Sequence, residues 1–289
     1  MSNGRDALTV ITRHRPETGD NLNASQILPA ARILCLALVT VLSPLSTALA
    51  AKPLDLHYIG GLSLGYSSFD FPAKLDHKLT FPVYQLHGGI AYKKYYAVVN
   101  LADSFADADV SEEEDIGEAG RYDRDISLGY QWTPSWGIFA GYKTGKTTID
   151  YISREDQDAG GAAPVRQESY RHEGPFVGVS YARKFERAGR LTLSLAYADL
   201  DATNRFVRDA DDGGEDEKPE FDDLTGSVEG DSTGLSFGAR WSIPVAGNLL
   251  YYLSYRINDY QQDLTIDGNR YDNIDETITY LNTGLFFVF

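Results

Sequence analysis

The chain closes on Asn282-Thr-Gly-Leu-Phe-Phe-Val-Phe289, in which large apolar residues alternate with small or polar ones. Successive side chains of a β-strand point to opposite faces. Leu281, Thr283, Leu285 and Phe287 therefore share one face, and Tyr280, Asn282 and Gly284 share the other. The bulk lies on the first face, and the second is too small and polar to build a soluble core. This is the pattern of a strand that turns its large side chains outward into lipid and its small ones inward to a polar lumen.

Working back from this strand, the same alternation recurs in nine further segments. They run from about Leu54 to Ser67, Pro82 to Tyr92, Tyr95 to Ser104, Tyr122 to Trp132, Trp136 to Ile152, Glu168 to Phe185, Arg190 to Phe206, Ser232 to Ile243, and onward from Leu249. In the first, Tyr58, Leu62, Leu64 and Tyr66 are outward against His57, Gly61, Ser63 and Gly65. The connections are alternately long and short, the layout of an up-and-down barrel with loops at one end and tight turns at the other. The spacing predicts an all-β, transmembrane, antiparallel barrel of about ten strands, with eight or twelve as alternatives. An even count puts both termini at the short-turn end. A soluble β-sandwich or lipocalin-like barrel also alternates, but it would have to expose many of these Tyr and Leu residues.

Composition agrees with a barrel. Nineteen tyrosines, thirteen phenylalanines and twenty-seven glycines accompany a net charge of -16. Aromatic residues gather at both interfaces of membrane proteins, and small residues fit a lumen. The acidic balance excludes nucleic acid as a partner.

Near the start, Arg32 precedes the apolar run Ile33 to Leu42, and Ser46 to Ala50 contain the Ala48-Leu-Ala50 pattern of a cleavage region. Residues 1–50 are expected to be a secretion signal with an extended n-region, cleaved near Ala50, and residues 51–289 the barrel domain. The run is shorter than the roughly 20 residues of a spanning helix. Cys35 would leave with the signal, so the mature chain would hold no disulfide. An export signal followed by a final strand ending on Phe289, with Phe287 and Leu285 on its outward face, resembles the outer-membrane barrel proteins of Gram-negative bacteria, of the small-porin and outer-membrane-protein group. The resemblance implies an outer-membrane location, recognition of that terminal strand by the barrel assembly machinery, and lipid and lipopolysaccharide as surroundings of a monomer.

Charge concentrates in two long connections. Asp103 to Gly120 holds eight acidic residues and no basic one, and Asp209 to Asp231 holds eleven with a single lysine, Lys218. Both are expected to be solvated, self-repelling extracellular loops, able to collect divalent cations or to bridge through them to lipopolysaccharide. Asp209-Ala-Asp211-Asp-Gly-Gly214 with Glu220 partly matches a calcium-loop spacing, but Gly213 stands where a ligand is needed and no helices flank it, so no metal site is expected.

No motif assigns a reaction. Ala140 to Thr147 resembles a phosphate loop, but it lacks the first glycine and falls within a strand. The histidines near strand ends, His77 and His172, with Asp103, Asp199 and Asp201, lack the paired Asp and Asp-x-His arrangement of omptin proteases. The His-x-Ser pair of lipid A deacylases is missing as well. The chain is therefore expected to be no enzyme and to need no cofactor, with a rim-located hydrolase as the last alternative. The inward positions are more informative, being mostly Gly and Ser with a few long polar groups: Asp125, Lys143, Arg240, Tyr252, Arg256 and Tyr280. Charges in a narrow lumen are expected to pair. These six are the lumen and constriction candidates of a structural barrel or a narrow porin-like channel for ions or small solutes. A surface-adhesion or lipopolysaccharide-interacting barrel is the alternative.

Overall fold

The computed structural model describes residues 56–70, 78–111, 115–153, 166–186, 188–208, 226–266 and 269–289. The expected signal over residues 1–50, His77, and the calcium-like spacing from Asp209 to Glu220 lie outside the described residues.

Among the described residues eleven strands follow one another: β1 (Leu56–Asp70), β2 (Lys78–Tyr92), β3 (Tyr95–Ser104), β4 (Ala108–Ser111), β5 (Asp115–Gln131), β6 (Trp136–Ser153), β7 (Arg166–Phe185), β8 (Gly189–Arg208), β9 (Gly226–Ala246), β10 (Leu249–Ile266) and β11 (Asn269–Val288). Strand β4 pairs with β5 alone. The other ten form an antiparallel ring that closes through β1 with β11 and through β3 with β5. The ten-stranded up-and-down barrel predicted from alternation is the fold observed, and the sheet closes on itself as a sandwich would not. Chain closure adds main-chain bonds: the Phe289 amide donates to Tyr58 O at 2.8 Å and the Tyr58 amide to Phe289 O at 3.1 Å.

Solvent exposure runs inside out around the lower half, next to the short turns. Outward Leu64 is 55% exposed and Leu128 65%, values expected of side chains that face lipid. Exposed Tyr92, Tyr95, Trp132 and Trp136 mark the margin of this belt at the short-turn end, and exposed Tyr66, Tyr142 and Tyr197 mark the other.

Above the second margin the strands keep their phase while the hydropathy of the two faces reverses. Phe69, Phe81, Ile149, Tyr151, Leu200, Leu264 and Ile278 point inward and are fully buried, whereas Asp70, Lys78, Asp199, Asp201, Glu229 and Asp231 point outward and are exposed. The upper half is thus built like a soluble protein, each large buried side chain contributing about 1.5–3 kcal/mol. The barrel has two storeys, a lipid-solvated lower one and a water-solvated upper one.

The upper storey corrects the expected strand ends. Strand β1 runs on to Asp70, β2 begins at Lys78, β5 at Asp115 and β9 at Gly226. Much of Asp103–Gly120, expected to be a solvated loop, is therefore strand, including the β4–β5 pairing of Val110 with Gly117. Among the described residues, Asp109 and Glu118 are exposed on the outward face of this sheet.

Candidate lumenal site

All six lumen candidates point into the barrel, and the ring brings distant ones together. Asp125 on β5 and Arg256 on β10 lie on opposite walls, since the ring runs β5-β6-β7-β8-β9-β10 between them. Their side chains nevertheless meet, Arg256 Nη1 standing 3.6 Å from Asp125 Oδ2. The same guanidinium lies 4.7 Å from the centre of the Tyr280 ring. Lys143 donates to the Tyr260 hydroxyl from across the lumen.

Arg240 departs from the expectation that lumenal charges pair. Its guanidinium lies 5.1 Å from the ring centres of both Tyr252 and Phe286, and among the described residues it has no hydrogen bond or ion pair. The physical reason is that its side chain is exposed to the lumen, so water there supplies the solvation that a carboxylate would otherwise give.

A hydrogen-bond chain holds these groups in place. Asn100 Nδ2 donates to Asp125 Oδ1 at 2.7 Å, which orients the Asn100 carbonyl toward His87 Nδ1 at 2.6 Å. His87 therefore carries its proton on Nδ1 and accepts at Nε2 from the Tyr252 hydroxyl at 2.6 Å. The chain Tyr252–His87–Asn100–Asp125–Arg256 starts and ends on β10 after passing through β2, β3 and β5. It fixes the ring beneath Arg240 and the carboxylate opposite Arg256.

Two adjoining cavities occupy this half of the lumen. One of about 340 Å³ is lined by Arg240 and Arg256 together with Gln85, Tyr96, Ser194 and Asn282, and one of about 170 Å³ lies against Asp125, Lys143 and Asn258. Glycine makes room for the aromatic lining: a Cβ on Gly129 would fall 2.0 Å from Tyr96 Cζ.

Higher up, the lumen is filled from wall to wall. Arg121 grips Asp123 through Nε and Nη2 at 2.8 and 2.7 Å and donates from Nη1 to Thr147 at 2.6 Å. His172 Nδ1 lies 3.5 Å from Glu276 Oε1, and Nε2 lies 4.0 Å from Asp123 Oδ1. Gln262 donates to Glu276 and accepts from Asn204, extending the cluster to β8. Arg121 offsets the charge of Asp123, and His172 stands between Asp123 and Glu276. Above this layer Phe69 and Tyr170, on directly opposite strands, bring their ring centres within 5.7 Å. His172 is 1% exposed, so the histidine considered for rim chemistry is sealed inside the plug.

Sequence reasoning missed Arg121, Asp123, Tyr260, Gln262 and Glu276 as a group. Their inward phase was readable, but nothing local signals that β5, β7, β10 and β11 converge at this height.

No protein-family model matches the chain, and no curated protein matches it in sequence. Among solved structures, the chain is similar to the outer membrane protease OmpT of Escherichia coli, with 12% identity, a TM-score of 0.48, and coverage of 84% of this chain and 99% of that one. It is similar to the translocator domain of the autotransporter NalP of Neisseria meningitidis, with 12% identity, a TM-score of 0.44, and coverage of 93% and 99%. A third, Ail, the attachment invasion locus protein of Yersinia pestis, shares 11% identity with a TM-score of 0.36 over 80% of this chain and 99% of its own. These likenesses assign no activity to this chain.

Proposed function

We propose that this protein is a non-conducting outer-membrane barrel that works at the cell surface, the structural rather than the porin-like form of the two lumenal readings. The observation that carries this is the plug: Phe69 and Tyr170 from opposite walls are 0% and 2% exposed, above a polar layer that joins β5, β7, β10 and β11. A continuous ion path would have to pass both. On this reading the chain is exported with cleavage near Ala50, inserted by the barrel assembly machinery through the strand ending in Leu285, Phe287 and Phe289, and acts as a monomer.

Its surface chemistry would lie on the upper storey. Glu173, Asp201, Asp231 and Asp263 stand directly opposite one another in register across β7, β8, β9 and β10. Like charges placed in this way destabilise a sheet, and Arg171, 2.6 Å from Glu173, offsets one end of the row. The row lies just beyond the tyrosine margin, at the height of lipid head groups. Divalent cations shared with lipopolysaccharide phosphates would relieve the repulsion, which favours a lipopolysaccharide-interacting role over a rim hydrolase.

Single-channel recording of the refolded protein in a planar bilayer is the test. Silence across voltages is expected, and steady conductance steps from the wild type would overturn the reading. In lipopolysaccharide-containing bilayers, chelating divalent cations is expected to lower the unfolding midpoint of the wild type more than that of Asp231→Asn. An equal shift in both would remove the surface role.

A further inference from the structure

The plug closes one end of the lumen, and the half it leaves has an unusual charge. The whole protein carries -16, yet the inward positions of the lower storey collect cations. Lys184 and Arg190 face each other in register near the short-turn end. One inward step higher Arg240 lies opposite Thr192 on β8, and a further step higher Arg256 lies opposite Gly238 on β9. Lys143 completes the series. The inward carboxylates nearest these cations among the described residues are Asp125, which Arg256 already engages, and Asp123, which Arg121 holds.

We propose that the lower half of the lumen is a binding site for a small hydroxylated oxyanion, a sugar bearing a phosphate or carboxylate, taken up from the short-turn end and anchored by Arg240 with help from Arg256. Three observations converge on this. Arg240 has two aromatic faces against it and no hydrogen-bond acceptor among the described residues, so its donors are free for a planar oxyanion, the geometry that guanidinium recognises in pairs of parallel bonds. The cavity in front of it, about 340 Å³, is within the roughly 300–1,000 Å³ of small-molecule sites. Its remaining wall is rich in neutral hydroxyl and amide groups, Tyr96, Ser127, Ser180, Ser194 and Asn282 among them, which suit a ligand's own hydroxyls. The aromatic rings of Tyr252 and Phe286 hold the guanidinium in position before binding. The cations at Lys184 and Arg190 would draw anions toward it, because a charged, low-dielectric cleft focuses the field. The proposal concerns the part of the lumen below the plug and goes beyond the surface role.

Calorimetric titration of the refolded barrel in uncharged detergent at low salt tests it, with glucose 6-phosphate, gluconate and glucose as probes. Saturable binding of a charged sugar with no binding of glucose is expected, and the preferred charged sugar identifies the anionic group. Arg240→Gln should weaken that binding about tenfold or more, the loss of one charge-assisted pair of hydrogen bonds. Asp125→Asn releases Arg256 and should tighten it. Heat-modifiable migration on a gel reports whether each variant is folded, and the wild-type comparison stands without any variant. Binding of glucose as strong as that of the charged sugars, binding of none of them, or weaker binding in folded Asp125→Asn would overturn the proposal.

Discussion

Arg121 is the residue whose removal would be felt most. It is 2% exposed, its fork holds Asp123, and its face lies 5.5 Å from the centre of the Phe69 ring. Arg121→Ala would leave Asp123 enclosed without its cation, a change that costs about 3–5 kcal/mol. Replacing both partners with apolar residues, Arg121→Met with Asp123→Leu, should recover much of that loss in urea unfolding. Glu276 supplies a pH dependence in the same layer, which stands beyond the lipid belt. Burial works to raise its carboxyl, but the hydrogen bond and charge of His172 and the charge of Arg121 more than offset this and hold it below the ordinary carboxylate range. A depressed folded value means stability that is present above the unfolded value of 4.5 and lost as pH falls through the folded one. The unfolding midpoint should therefore drop on acidification below that point, and Glu276→Gln should flatten this part of the profile. At this scale the sequence identified Asp125, Arg240 and Arg256 as lumenal from phase alone. It could not show that Arg256 meets Asp125 while Arg240 meets only rings, because partnership depends on which strands the closed ring sets opposite each other.

At the scale of the element, the strand cores were legible and their upper ends were not. The expected first strand stopped at Ser67 and the second began at Pro82, where outward positions cease to be apolar. Yet Phe69, Leu79 and Phe81 continue the alternation on the inward face, 0–4% exposed. A search for outward hydrophobicity ends where the outer solvent changes from lipid to water, although the backbone pairing of Phe69 with Leu79 continues. The tight turns are specific in another way. In the two-residue turn between Tyr92 and Tyr95, Lys93 has φ of 55°, a conformation that costs a non-glycine residue about 1–2 kcal/mol. Lys93→Gly should raise stability by about 1 kcal/mol in urea unfolding. Gly189 is the converse, with φ of 90° and a would-be Cβ 2.1 Å from Ser242 O. Gly189→Ala should destabilise the β7–β8 hairpin and lower the temperature at which the barrel loses its compact gel migration.

For the whole molecule, the reversal of faces at one height has a consequence for how deep the barrel sits. Sliding upward by two residues along a strand, roughly 6–7 Å, would lift Tyr66 and Tyr197 into bulk water. Sliding downward would press Asp199, Asp231 and Asp259 into hydrocarbon, where charge is expensive. Both displacements are opposed, so the protein has one vertical position and little freedom to bob. When the surrounding bilayer is thicker or thinner than the belt, the lipids must stretch or compress to meet the barrel. Chain-length series of phosphatidylcholine vesicles should accordingly show an optimum in folding yield, set by the distance between the two aromatic margins.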